Sequence, residues 1–144
     1  MFDSYNAGLM KFATALKLLV FAAISTQLSA AQPLRTPDGV WKNPGGSVMV
    51  RTGACGDKLC GVVVWASPSA LADARDSGTT KLIGTQLLRD YVASGPGRWT
   101  GQVYVPDLGG TYYSRIQLLG PDNIKVSGCI LHGLICRSQI WTRV

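Results

Sequence analysis

Residues 123–143, NIKVSGCILHGLICRSQIWTR, decide the fold of this chain. The stretch holds two runs of alternating or β-branched residues, 123–130 and 134–143, and His132-Gly133 between them is a turn signal. Cysteines lie on both sides of the turn, at Cys129 and Cys136. If they form a bridge, both face one side of the hairpin. The stretch therefore predicts an antiparallel β-hairpin with one cysteine-bearing face.

The same pattern runs back along the chain to residue 39. Six further apolar runs precede the hairpin, separated by Gly, Pro, Asn and Asp residues that favour turns. Segment 66–85 is the exception, because 69–75 predicts two helical turns capped by Ser69 or Ser67 and 76–80 predicts a loop. The strands are expected at 39–43, 47–53, 59–65, 86–93, 98–105, 111–119, 123–130 and 134–143.

Eight strands with mostly short connections predict an all-β fold, an up-and-down antiparallel meander. Such a sheet removes its exposed edges by closing into a barrel. A barrel of about eight strands either fills with side chains or holds one small ligand. We therefore expect residues 32–144 to form a single β-barrel domain.

The first 31 residues have the three parts of a secretory signal peptide. Lys11 and Lys17 precede the apolar run 18–24, and small residues follow it up to Ala31. This places cleavage before Gln32 or one residue earlier. The apolar run is shorter than the roughly 20 residues of a membrane-spanning helix, so the mature form is not expected to span a membrane. The segment predicts a periplasmic or secreted protein.

Two positions compete as the translation start, Met1 and Met10. Lys11 follows Met10 directly, whereas residues 1–9 contribute Asp3 and no positive charge. Met10 therefore fits the basic start of a signal peptide better.

The charge balance is basic, with 14 Lys and Arg against 8 acidic residues, all of them aspartate. The basic residues form neither a run nor a helical stripe. Nucleic-acid binding needs a concentrated patch, so we expect no nucleic-acid partner. The balance favours solubility and attraction to anionic molecules.

The chain contains four cysteines, which allow three disulfide connectivities. We favour Cys55–Cys60 and Cys129–Cys136, because each pair brackets a turn signal. Zinc sites and redox pairs favour shorter spacings than the four and six intervening residues here. No metal or other cofactor is expected.

The sequence offers no clear set of catalytic residues, and we do not expect an enzyme. Most aspartates lie in turn-like or loop contexts, where aspartate has a structural reason to occur. His132 is the single histidine, and the tip of a hairpin is a poor place to hold an oriented base. A hydrolase remains a distant third hypothesis.

The hairpin also predicts which residues line the barrel. If the disulfide faces outward, Arg137, Gln139 and Trp141 point inward, and Tyr112 and Trp41 join them from other strands. Buried polar groups need partners: Arg137 and Gln139 either form an internal network or meet a polar or anionic headgroup. We expect a small amphipathic or anionic ligand in this interior, with 66–85 as a lid.

The alternative is a protein-interaction or structural module of the envelope, with a solid core. An inhibitor or tether of an envelope enzyme is one example. Its functional surface would then be the outer wall, where the alternation places Lys42, Arg51, Arg98 and Lys125.

The two ends of the predicted barrel resemble the pattern of lipocalin-like (calycin) barrels. Gly39-Val40-Trp41 lies on the first strand and Arg143 on the last. In those proteins the arginine packs over the tryptophan and closes the bottom of the barrel. The resemblance implies that Gly39, Trp41 and Arg143 do so here, since a guanidinium stacks well on an indole.

A resemblance to the bacterial DUF2147 family covers nearly the whole mature chain, and it implies a small exported protein. Many members carry an Asp/Asn-Pro-rich segment between the third and fourth strands, whereas 76–80 is shorter here and lacks the proline. The matching motifs are Gly39-Val40-Trp41, Cys55 to Gly61, Leu82-Ile83-Gly84, Gly97 to Gly101, Tyr104-Val105-Pro106, Val126 to Cys129 and Leu134 to Arg143.

Overall fold

The structure, a computed structural model, describes residues 35–144. The signal peptide expected over 1–31 lies outside this range. Within residues 35–144, eight strands and one α-helix follow one another. They are β1 (Gly39–Lys42), β2 (Val48–Cys55), β3 (Lys58–Ala66), α1 (Pro68–Asp76), β4 (Gln86–Gly95), β5 (Arg98–Val105), β6 (Gly110–Leu118), β7 (Asn123–Ile130) and β8 (Ile135–Arg143). Short 3-10 turns at Pro106–Leu108 and Leu131–Gly133 join β5 to β6 and β7 to β8.

The eight strands form a closed antiparallel barrel in which each strand pairs with its neighbour in the chain. The expected all-β up-and-down meander is confirmed, and the strand ends differ from the predicted ones by at most two residues. The turn after β1 shows why that strand is short. The Asn43 side-chain oxygen accepts hydrogen bonds from the backbone N–H groups of Ser47 and Val48, at 2.8 and 3.0 Å, which fixes the turn directly after Lys42.

The barrel closes through a short seam between β1 and β8. Two residue pairs form it, Trp41 with Arg143 and Lys42 with Thr142. Because β1 has four residues and β8 has nine, no strand of the described part of the chain pairs with residues 135–141 on that side of β8. Its other side pairs with β7 along the whole hairpin.

Helix α1 lies in the connection between β3 and β4. Ser67 is its N-cap, with the side-chain oxygen accepting from the Ala70 N–H at 3.2 Å, and Pro68 occupies the first turn, where proline is well tolerated. Ala74 is fully buried, and Ala70, Leu71 and Leu82 also pack on the core. In an up-and-down barrel alternate connections share one end, so this segment lies at the same end as the β7–β8 turn.

Both disulfides have the pairing favoured from the sequence. Cys55–Cys60 closes the turn between β2 and β3, and Cys129–Cys136 joins β7 to β8. The second bridge lies on the outer face, because Ile124 and Val126, which alternate with Cys129 along β7, are buried inside the barrel.

Candidate functional site

The floor of the barrel is built around the Trp41 indole. Arg143 lies over its ring, with the guanidinium carbon 4.2 Å from the ring centroid. The same guanidinium donates to the backbone oxygens of Pro121 (2.8 Å) and Asp38 (2.7 Å). A Cβ on Gly39 would displace Arg143 Nη1, and the φ of +143° is one that residues with a side chain rarely adopt, so both features favour glycine here. Arg143 thus stacks on Trp41 where the first and last strands pair.

The structure corrects the role expected for Trp41 as part of the ligand wall. Its side chain is fully buried, and its indole N–H lies within hydrogen-bonding distance, 2.9 Å, of both the Pro37 carbonyl and the Thr52 hydroxyl. Thr52 in turn donates to the Pro37 oxygen. With its ring under Arg143 and its nitrogen satisfied, Trp41 presents no surface to a ligand.

The middle of the barrel is filled by side chains. Tyr91 and Trp99 occupy it together with aliphatic residues from neighbouring strands. Gly101 makes room for the tyrosine, since a Cβ there would lie 2.7 Å from the Tyr91 ring. The Tyr91 hydroxyl donates to Ser114 at 2.5 Å. Burial raises the pKa of Tyr91 strongly, and the hydrogen bond with Ser114 opposes this rise only in part.

The inner face of the β7–β8 hairpin is different, because residues there point inward and are nevertheless exposed. Arg137 pairs with Gly128, and Gln139 pairs with Val126; paired residues share a face, and Val126 is in the core. Both Arg137 and Gln139 are exposed. The structure therefore corrects the expectation that they are buried in the barrel interior. The physical reason is the length of β1, which ends before it reaches them.

Two apolar residues extend this exposed inner face toward the hairpin turn. Ile130 pairs with Ile135 in the same register, and their side chains are 49% and 55% exposed. We call the exposed, inward-facing set Ile130, Ile135, Arg137 and Gln139 the inner mouth. It combines an apolar edge with one cation and one amide.

Trp141 forms the base of the inner mouth. It is nearly buried, pairs with the fully buried Ile124, and donates from its indole N–H to the Gln139 side-chain oxygen at 2.9 Å. The Gln139 amide is thereby oriented. Within residues 35–144, the Arg137 guanidinium makes no hydrogen bond or ion pair. A fixed amide beside an unpaired guanidinium supplies donors for an anionic group.

Tyr112 lies on β6 in the same wall, level with Ile130 and Ile135 in the register of the strands. It pairs with Val103, is half-buried and packs against the core. The structure thus brings Tyr112, Arg137, Gln139 and Trp141 to the inner side of neighbouring strands, whereas Trp41 belongs to the floor. The exposed isoleucines were not among the candidate site residues. The alternation places Ile130 on the inner face, but no sequence signal shows that this end is open.

The segment expected to act as a lid, 66–85, is docked on its end of the barrel. The Ser77 hydroxyl donates to the Asp107 backbone oxygen at 3.0 Å, and the Thr79 hydroxyl lies 2.6 Å from that of Tyr104. These polar contacts add to the apolar packing of α1. The segment closes part of this end in the conformation described.

Outside the inner mouth, the described residues form few groups suited to catalysis or metal binding. His132 is exposed in the turn, with a positive φ of 56°. No group of three His, Cys, Asp or Glu side chains among residues 35–144 is placed to hold a metal ion. No helix described by the structure is long and apolar enough to cross a membrane.

The outward-facing cations divide into two groups. Lys42 and Arg51 lie on β1 and β2, whereas Arg98 and Lys125 lie on β5 and β7 with Gln117 of β6 between them. A further arginine, Arg115, shares that second wall and was not among the candidate residues. The signal for it was its alternation on β6 with the inward Ser114 and Ile116.

The sequence matches a bacterial protein family, and the fold resembles a solved structure of a lipocalin-family protein. Residues 39–143 match the model of a family described as uncharacterized proteins conserved in bacteria, DUF2147. A solved structure of a Helicobacter pylori protein, described as belonging to the lipocalin family, resembles the fold with a TM-score of 0.58 at 15% sequence identity. The match covers 74% of this chain and 82% of that protein. No curated protein matches the sequence significantly.

Proposed function

The chain belongs to the DUF2147 family of bacterial proteins, and we propose that it is a non-enzymatic barrel that binds a small amphipathic or anionic molecule at its inner mouth. One observation carries the proposal: Arg137 and Gln139 face inward and are exposed. Solvent therefore reaches the inner side of the wall here, whereas the middle of the barrel is packed.

The composition of the inner mouth determines the class of ligand. An anionic headgroup pairs with Arg137 and accepts hydrogen bonds from the amide of Gln139. Its apolar part covers Ile130 and Ile135, which are otherwise exposed. Burying those two side chains contributes about 25 cal/mol per Å² of apolar surface removed from water. Tyr112 and Trp141 form the wall behind the ligand.

The lipocalin-like fold supports this proposal over an interaction module of the envelope, because barrels of about eight strands have room for a ligand at an open end. Two disulfides also support an exported protein in the periplasm or outside the cell, since disulfides persist in oxidising compartments.

A titration with dodecanoate, below its micelle concentration, tests the proposal by calorimetry. The substitution Arg137→Gln keeps a polar side chain with N–H donors and removes the charge. We expect it to weaken binding of dodecanoate by about tenfold, the effect of losing one charge-assisted contact worth about 1.4 kcal/mol. Dodecanol, which has the same chain without the charge, should bind both proteins equally.

Arg51→Gln is the matched control, because Arg51 is exposed on the outer wall of β2. It should leave the affinity for dodecanoate unchanged. If Arg137→Gln binds dodecanoate as tightly as the unaltered protein, or if the two variants lose affinity equally, the inner mouth is not the binding site. Native mass spectrometry of protein purified from its own host then identifies any ligand that it carries.

A further inference from the structure

The outer face of strands β5–β8 carries a groove that is separate from the inner mouth. A row of side chains crosses the four strands, in which Thr100 pairs with Arg115, Arg115 with Ser127 and Ser127 with Ser138. The three hydroxyl residues are short. Larger side chains flank them, in the neighbouring row that runs from Arg98 through Gln117 to Lys125. A hollow of about 320 Å³ results.

Ser127 shows that this surface is concave. Its side chain points outward, on the face opposite the core residue Val126, and yet it is 6% exposed. Its hydroxyl lies 2.7 Å from that of Ser138. Hydroxyl groups therefore line the floor of the groove, below the ends of the longer side chains. We call the set Thr100, Ser127, Ser138, Arg98, Arg115 and Lys125 the outer groove.

All charged side chains that line the groove are positive. Arg98, Arg115 and Lys125 line it, and none of the four strands contains an aspartate or glutamate. The ion pair found within residues 35–144, Lys58–Asp90, lies elsewhere. Arg115 leans over the Tyr113 ring at 5.4 Å, and cation–π contact leaves its charge uncompensated. Arg98 and Lys125 therefore present their charges to the groove, whereas the Arg115 guanidinium leans toward the β7–β8 turn and donates to the Gly133 backbone oxygen at 3.5 Å.

The spacing of the cations suits a ligand with several anionic oxygens. Arg98 and Lys125 are two strands apart, about 10 Å between backbones, and both line the hollow between them. Hydroxyl and amide groups on the floor complete the donors. Tetrahedral oxyanions accept many hydrogen bonds at once, which is why arginine, lysine and hydroxyl groups recur at phosphate sites.

We propose that the outer groove binds the phosphate groups of a small phosphorylated molecule. This site goes beyond the inner mouth: it lies on the other face of the wall, and it uses none of the same side chains. A molecule bound in the groove contacts Arg98 and Lys125 with its phosphates and the hydroxyls of Ser127 and Ser138 with its remaining oxygens.

Inorganic pyrophosphate is the probe for this site, titrated at constant ionic strength and followed by the backbone amide signals in an NMR spectrum. We expect shifts concentrated at Thr100, Gln117, Ser127 and Ser138. The double substitution Arg98→Gln/Lys125→Gln should raise the dissociation constant about fivefold, as expected for two partly exposed cations. Arg98→Lys/Lys125→Arg keeps both charges and should bind within about twofold of the unaltered protein.

The control Lys42→Gln/Arg51→Gln also removes one lysine and one arginine charge, but from the outer wall of β1 and β2. It should leave both the affinity and the shifted amides unchanged. The proposal is overturned if the control weakens pyrophosphate binding as much as Arg98→Gln/Lys125→Gln, or if the shifts spread over all basic surfaces. Absence of any saturable shift also overturns it. Arg137→Gln should have no effect here, which keeps this result independent of the inner mouth.

Discussion

Replacing Gly39 by alanine is expected to destabilise the barrel mainly through Arg143. The new methyl carbon would lie 2.1 Å from Arg143 Nη1, far inside contact distance, so the guanidinium has to move. It then loses its place over Trp41, at 4.2 Å, and the hydrogen bond from Nη1 to the Asp38 oxygen, at 2.7 Å. A change on the first strand thus acts on the last strand.

The magnitude follows from the contacts that are lost. Stacking of the guanidinium on Trp41 is worth about 0.5–1 kcal/mol, and one charge-assisted hydrogen bond about 1.5 kcal/mol. The φ of Gly39 is +143°, which costs alanine about 1 kcal/mol more. The sum is about 3 kcal/mol, which corresponds to a fall in Tm of roughly 10–15 °C for a domain of this size.

Urea unfolding of the disulfide-intact protein, in a double-mutant cycle with Arg143→Ala, measures the coupling. Once Arg143 is shortened, Gly39→Ala should cost about 1 kcal/mol, because only the backbone cost remains. The coupling energy is then about 2 kcal/mol, well above the additivity error of about 0.5 kcal/mol. Equal costs in the two backgrounds would refute the reasoning, and the glycine would then be required by its φ alone.

Three further expectations concern stability. Burial raises the pKa of Tyr91 above the unfolded value of about 10, so its contribution is intact below that pH. Above about pH 10 the free energy of unfolding should fall by up to about 1.4 kcal/mol per pH unit. The fall should be less steep in the double variant Tyr91→Phe/Ser114→Ala, and urea unfolding midpoints measured at several pH values check this. Replacing Cys129 and Cys136 by serine should lower the free energy of unfolding by about 2.5 kcal/mol; thermal unfolding with and without reductant checks this, and an unchanged Tm would contradict it. Ser67→Ala should cost about 1 kcal/mol by removing the N-cap of α1, whereas Ser69→Ala should cost less than half of that.

The sequence predicted the strands because each is a short period-two run bounded by turn residues. It also predicted the face of β8, because the alternation from Cys136 makes Arg137 and Gln139 share a side with Trp141. Pairing with Gly128 and Val126 in the structure bears this out. Local sequence patterns were sufficient to predict structural features that depend on a single hairpin.

The exposure of Arg137 and Gln139 was not predictable in the same way. Alternation indicates the side of the wall on which a residue lies, but exposure depends on how far the neighbouring strand extends. Here the Asn43 turn ends β1 early, and that strand is distant in sequence. The filled interior likewise depends on Tyr91 and Trp99, whose placement inside follows from the closure of the barrel and not from their own strands.

The seam between β1 and β8 affects the order in which the barrel folds and the place where the native barrel opens. Every other strand pair joins neighbours in sequence, so even the pair β3–β4, with α1 between its strands, forms over a far shorter connection than the 105 residues spanned by the Arg143–Asp38 hydrogen bond. The loop-closure entropy of that contact is the largest in the barrel. We therefore expect the seam to close last during folding and to open first in the native state. Amide hydrogen exchange should be fastest at Lys42 and Thr142 among the paired strand residues, while the β5–β6 ladder stays protected.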